Sequence, residues 1–212
     1  MPSPWRWNGT SHRYHNTETG RFLSANQMAP LRDQFIEAQY SETSLLANRL
    51  AAGDITIQQW VLDFRKVLKT TYFDEYAIAR GGRNAMTAKD YGTLGGLLKA
   101  QYGWLNEFAA EVAKGNLSLL QIKARSGLYI ASATNAFERG KAAGYGMAKL
   151  SQYPGDGKTE CLRQCKCHLQ IEETATAWQV HWKLGPVRTE HCGDCRGLAA
   201  EWAPLVVRKV AA

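Results

Sequence analysis

The stretch CLRQCKCHLQIEETATAWQVHWKLGPVRTEHCGDC, residues 161–195, contains all five cysteines of the 212-residue chain. The thiols form two close-set groups, one at each end of the stretch, and two strand-like patterns lie between them. Alternate positions share a face of each strand, namely Cys165, Cys167, Leu169 and Ile171 on the first and Trp178, Val180, Trp182 and Leu184 on the second. A hairpin joining the strands is therefore predicted to bring both thiol groups together at its feet.

Two ligands from each of two turns suit a tetrahedral zinc ion, and Gly193 allows backbone amides to turn toward the sulfurs. The preferred ligands are Cys161, Cys165, Cys192 and Cys195. The first pair has the wider Cys-x3-Cys spacing, so one of its members is open to replacement by Cys167, His168 or His191. The zinc is predicted to be structural, because so small a hairpin has too little core to fold without it.

Two other uses of the thiols are disfavoured. Disulfide pairing conflicts with the odd number of cysteines and with an N-terminus that lacks the apolar run of an export signal, from which we expect synthesis in a reducing compartment. Redox chemistry at Cys192-x-x-Cys195 requires a helix near Arg196 to lower a thiol pKa, but no βαβ pattern surrounds the motif.

No other segment predicts an active site, so we expect the protein not to be an enzyme. His191 and Cys192 are adjacent, which is poor geometry for a nucleophile and its base. The glycine-rich residues 92–99 lack the spacing of a phosphate-binding loop and indicate a weak helix start.

Upstream of the cysteines, apolar residues at spacings of three and four predict four helices, near 31–52, 56–79, 88–114 and 118–148. Pro30 is expected to precede the first helix. Gly53 and Gly115 are predicted caps, each followed by a capping pattern, Thr56-x-x-Gln59 or Ser118-x-x-Gln121. These short corners predict antiparallel neighbours, the first helix with the second and the third with the fourth.

The predicted fold class is mainly α, an antiparallel body of about four helices with a zinc-bound β-hairpin module at its C-terminal end. Residues 1–30 form an extended or hairpin arm around the turn 16–20, residues 31–152 form the body, and residues 153–212 form the module with a short C-terminal helix or tail. The turn-forming cluster 153–157 marks the boundary between the last two.

The composition is that of a soluble globular protein, with 45% hydrophobic and 21% charged residues. No apolar run reaches the length of a membrane span, so no membrane contact is expected. The formal charge of +7 favours polyanionic surroundings without establishing nucleic-acid binding.

The chain resembles tailed-phage head morphogenesis or minor capsid proteins, loosely those of the phage Mu protein F group. The resemblance rests on Tyr14-x5-Gly20 with residues 21–24, on 124–140 of the fourth helix, and on the two cysteine motifs with Trp202-x-Pro204-Leu205. It implies a virion component made in the host cytoplasm, in several symmetric copies, that contacts portal or capsid subunits. The Cys-x-Cys element precedes Cys-x2-Cys here, the reverse of the group's commoner order, so the resemblance assigns no ligands.

Two functions are thus predicted. The first is a structural protein of the phage head, with Trp5, Trp7 and Trp202 as interface anchors because tryptophan often anchors interfaces. The alternative is a nucleic-acid-binding zinc ribbon, in which basic residues around the metal neutralise phosphates, namely Lys158, Arg163, Lys166, Lys183, Arg188, Arg196, Arg208 and Lys209. Non-specific contact with packaged DNA is compatible with both.

Overall fold

The computed structural model describes residues 5–8, 13–147, 149–162, 165–186 and 190–209, with side chains described from residue 13 onward except at 25 and 26. The protein is mainly helical with two small antiparallel sheets, which confirms the mainly α part of the predicted class. Within these ranges, no helix is both long enough and apolar enough to cross a bilayer.

The N-terminal arm is a three-stranded antiparallel sheet made of β1 (Trp5–Asn8), β2 (Arg13–Asn16) and β3 (Phe22–Leu23). Its predicted turn is confirmed, because the Asn16 side chain accepts hydrogen bonds from the amides of residues 18 and 19, and Gly20 adopts a φ of 69°. The buried side chains of Tyr14, Met28 and Ile78 pack together. The arm is thereby held against the helical body.

Helix α1 spans Ala25–Ala51, so the prediction that Pro30 precedes it is wrong. The helix begins at a capping box in which Ser24 and Gln27 each accept a hydrogen bond from the other's backbone amide. This cap provides a start signal upstream of the proline. Pro30 lies inside the helix, where it lacks only one backbone donor.

Helices α2 (Ile57–Arg80) and α3 (Ala88–Ala113) begin and end within one residue of their predicted bounds, with a short 3-10 turn at Arg83–Ala85 between them. The predicted fourth helix is wrong as a single element, because it divides into α4 (Leu119–Ala131) and α5 (Thr134–Gly144). At the break, the Ser132 hydroxyl donates to the Tyr129 carbonyl at 2.7 Å and lies 2.6 Å from the buried Tyr72 hydroxyl. This polar contact holds the chain in a tightened turn.

The core of the body is an aromatic cluster contributed by three helices. Trp60 meets Phe64 and Phe108 edge-on at centroid distances of 5.3 and 5.5 Å, and Phe108 stacks on Tyr129 at 6.0 Å. Helix α1 packs on α2 as predicted. Helix α4 lies mainly against α1 and α5 mainly against α2, while α3 meets α4 through side chains such as Phe108 and Tyr129.

The C-terminal module contains β4 (His168–Glu173), β5 (Ala177–Lys183), α6 (Gly193–Glu201) and β6 (Leu205–Arg208). The hairpin of β4 and β5 is antiparallel, with Leu169 opposite Trp182. The face predicted for the first strand is buried throughout, but on the second strand only Val180 and Trp182 are buried, while Trp178 is half-buried and Leu184 is exposed. Strand β6 adds a third strand beside β5, which the expectation of a helix or tail did not include. Trp202 packs edge-on against Trp182 at 5.6 Å and is 3% exposed, so its predicted role as an interface anchor is wrong.

Helices α2 and α5 approach closely at Gly140, where a Cβ atom would lie 2.5 Å from the Tyr76 carbonyl oxygen. We expect Gly140→Ala to lower the free energy of unfolding by about 1–3 kcal/mol, because backbone must move to admit the methyl group. The measurement is urea unfolding followed by circular dichroism.

The matched control is Gly96→Ala on the exposed face of α3, where no atom lies within 4 Å of the added carbon. That change removes a helix-interior glycine and is expected to stabilise the protein by about 0.5–1 kcal/mol. Equal effects of the two substitutions would contradict the close approach of α2 and α5.

Candidate metal centre

All five cysteine sulfurs converge where the two thiol groups meet, which is the arrangement predicted from the hairpin. The Sγ atoms of Cys161, Cys192 and Cys195 lie within 4.8 Å of one another, and so do those of Cys165, Cys167 and Cys195. Cys195 belongs to both groups, and its sulfur is 3.6 Å from those of Cys161 and Cys165. The cluster could hold a metal ion.

Local structure fixes Cys192 and Cys195 at the start of α6. Cys192 is the N-cap of this helix, and its sulfur accepts a hydrogen bond from the Cys195 amide at 3.4 Å. The helix begins at Gly193, three residues before the expected start near Arg196. A thiol in a capping position is held by backbone geometry, so its sulfur is positioned before any ion binds.

Glu160 links the segment that contains Cys161 to the segment that contains Cys192 and Cys195. Its carboxylate accepts a hydrogen bond from the Gly193 amide at 2.9 Å, and its own amide donates to Asp194 Oδ2 at 2.8 Å. The neighbouring Thr159 hydroxyl lies 3.2 Å from the Cys161 sulfur. These reciprocal contacts align the two cysteine segments independently of the hairpin register.

Gly185 permits the close approach that brings the end of β5 beside Cys167. A Cβ at this position would lie 2.6 Å from the Lys166 carbonyl oxygen, so any larger residue is excluded by backbone. The sequence shows a glycine shortly after β5. Without the strand register, however, it does not reveal that the backbone of Lys166 lies against this glycine.

The sulfur of Cys167 is surrounded by hydrogen-bond donors. The Cys165 thiol, the Trp182 indole N–H and the Gly185 amide together lower the pKa of Cys167 to about 5, with the Cys165 contribution the largest and burial opposing them. The Trp182 indole nitrogen is buried and has no oxygen or nitrogen partner among the described residues. It is therefore suited to supporting a thiolate, as outer groups do around metal ligands.

The pKa values of Cys165, Cys195 and Cys192 are shifted in different directions. Hydrogen bonding to Cys167 and burial raise the pKa of Cys165, and burial and its sulfur neighbours raise that of Cys195. Burial acts to raise the pKa of Cys192, but hydrogen bonds from the Cys195 and Cys161 amides outweigh it and lower the value. A divalent cation would replace the shared protons, since thiolates are the metal-binding form.

The predicted ligands and their alternates fall into distinct places. Cys165, Cys167 and Cys195 are buried, and Cys161 and Cys192 are half-buried. Of the alternates, Cys167 belongs to the cluster, and His191 adjoins it because its Nδ1 atom lies 3.9 Å from the Cys167 sulfur. His168 is exposed on the opposite face of β4 and belongs to neither sulfur group.

A buried ion pair joins the module to the helical body. Glu138 of α5 is 1% exposed, and its carboxylate accepts a hydrogen bond from the Leu169 amide at 2.9 Å. Lys141, which pairs with Glu138 at 3.0 Å, donates to the Leu169 carbonyl at 2.7 Å. Two side chains of α5 thus satisfy both backbone groups of one residue on the edge strand β4, which helps to block pairing with another chain at this point.

Comparisons with protein-family models, with curated proteins and with solved structures found no match to this chain.

Replacing Glu138 tests the connection between body and module. We expect Glu138→Ala to lower the free energy of unfolding by about 1–3 kcal/mol, because it leaves a buried amide without an acceptor. Amide hydrogen exchange of residues 168–183, followed by mass spectrometry, should lose protection at a lower urea concentration than the helical circular dichroism is lost.

Glu107→Ala, an equivalent change on the exposed face of α3, is the control and is expected to alter stability by less than about 0.5 kcal/mol. Coincident transitions with unchanged stability in Glu138→Ala would contradict the proposed attachment of the module.

Proposed function

We propose that the protein is a structural component of a tailed-phage head, a minor capsid or head morphogenesis protein whose C-terminal module is folded around zinc. The observation that carries the structural role of the metal is the burial of the sulfurs, with Cys165, Cys167 and Cys195 exposed by only 4%, 2% and 1%. Structural zinc sites are closed by protein ligands, whereas catalytic sites keep a position open to substrate.

The donor set supports zinc as the ion. Five thiols and one imidazole are soft and borderline ligands, which suit zinc rather than calcium or magnesium. The first ligand set we propose remains Cys161, Cys165, Cys192 and Cys195. The zinc then acts as a cross-link between residues 161–167 and the N-terminus of α6.

The virion assignment is supported by the resemblance of the arm, of residues 124–140 and of the cysteine motifs to head morphogenesis proteins. Its architecture, a helical body with a small cysteine-bearing end, is also the one typical of that group. Leu45, Leu62 and Leu120 of the body, which are 50%, 52% and 77% exposed, are the residues we propose for portal or capsid contacts. The side chains of Trp5 and Trp7, the other predicted anchors, lie outside the described residues.

Nucleic-acid binding is the second candidate, favoured by exposed basic side chains on the module, among them Lys166, Arg196 and Arg208. Two of the predicted basic residues are engaged within the protein: Lys158 donates to the Ser151 carbonyl, and Lys209 pairs with Glu173 at 2.7 Å. Arg163 and Arg188 lie outside the described residues. Fewer of the predicted basic residues are therefore free to contact phosphates, and we rank this function second.

Purified particles of the phage that carries this gene test the proposal. We expect mass spectrometry of gradient-purified particles to detect the chain at a constant ratio to the major capsid protein, because a structural subunit occupies a fixed number of symmetric positions. A phage-encoded replication protein is the control for carry-over. Particles that contain the capsid protein but none of this chain would refute the virion role.

A further inference from the structure

We propose that the cysteine cluster holds two zinc ions, as a dinuclear zinc–thiolate centre in which Cys165 and Cys195 bridge the metals. The inference deepens the proposed function and rests on it in one respect, that the cluster binds zinc. It assigns a role to every cysteine and to His191.

The sulfurs outline two overlapping sites. One tetrahedral zinc with bonds of about 2.3 Å holds its four sulfurs about 3.8 Å from one another. In this structure the sulfurs form two groups of three, each within 4.8 Å, joined through Cys195. Among the described residues, which include all five cysteines, no four sulfurs meet that limit together.

The number of donors matches a dinuclear centre. Two four-coordinate ions that share two sulfurs require six ligand atoms in total. The cluster supplies five sulfurs and the Nδ1 atom of His191, which lies 3.9 Å from the Cys167 sulfur. A single zinc with four thiolates would leave Cys167 and His191 unused beside it.

The positions of the donors divide them between the ions. Cys161 and Cys192 are terminal ligands of the first ion, and Cys167 and His191 are terminal ligands of the second. Cys165 and Cys195, whose sulfurs are 3.6 Å apart, form the shared edge. In this structure the Cys165 sulfur is grouped with those of Cys167 and Cys195. Binding of the first ion would therefore draw it toward Cys161 and Cys192.

The charge balance also favours two ions over one. Two zinc ions and five thiolates carry a net charge of −1, compared with −2 for one zinc and four thiolates, so the dinuclear centre buries less charge.

Metal stoichiometry of the full chain tests the inference. The chain is produced with zinc, freed of excess metal by gel filtration, and analysed by native mass spectrometry and by elemental analysis. We expect two zinc ions per chain, falling to one in Cys167→Ala and in His191→Gln. His168→Gln is the matched control, since this residue is next to Cys167 on the opposite face of β4, and it should retain two.

The outcomes separate this inference from the proposed function. One zinc per chain, unchanged in Cys167→Ala and His191→Gln, overturns the dinuclear centre and leaves a mononuclear structural site. No bound zinc overturns both.

A second measurement avoids substitution altogether, in case a variant fails to fold. The unmutated chain loaded with cadmium-113 should give two resonances that are coupled to each other through the shared sulfurs. A single resonance would contradict the dinuclear centre.

Discussion

The convergence of the other four thiols on the sulfur of Cys195 is the constraint on which the C-terminal module depends. Cys195 belongs to the first turn of α6 and reaches sulfurs from residues 161–167, a segment that precedes the hairpin. Its contacts hold α6 over the hairpin, where Leu198, Trp182 and Trp202 belong to one buried apolar cluster and β6 extends the sheet. In the proposed function, a cation that replaces the shared thiol protons would add its binding energy to the stability of this module.

The helical body provides a rigid base for this module. Its own core contains a buried ion pair, because Glu75 is fully buried and its carboxylate accepts hydrogen bonds from both Nε and Nη2 of Arg32. The guanidinium also lies over the ring of Phe137, 4.0 Å from its centroid, and so links α1 and α2 to α5. Glu138, the next residue of α5, and Lys141, one turn further on, bind the edge of β4. Side-chain contacts thus run from the middle of the body to the edge strand of the module.

Several features followed from the sequence because they are local. The helix bounds of α2 and α3 follow from apolar periodicity with glycine caps, and the buried faces of the hairpin follow from alternation. The start of α1 was missed because Pro30 masked an upstream capping box at Ser24. The break at Ser132 depends on Tyr72, sixty positions away, and no local pattern records such a partner. In the cluster, the sequence identified the sulfurs, but it did not predict their grouping around Cys195 or the Glu138 contact, which arise from tertiary packing.

The proposed structural role is consistent with both parts of the protein. In that role a closed thiolate centre would fix the shape of one end of the chain, and exposed leucines of the body would be available to neighbouring subunits. X-ray absorption at the zinc edge of the purified full chain examines the metal bonds on which this role depends. We expect a first shell dominated by sulfur at about 2.3 Å. A protein without zinc, or a shell made only of nitrogen and oxygen, would contradict a thiolate-bound metal at the centre of the module.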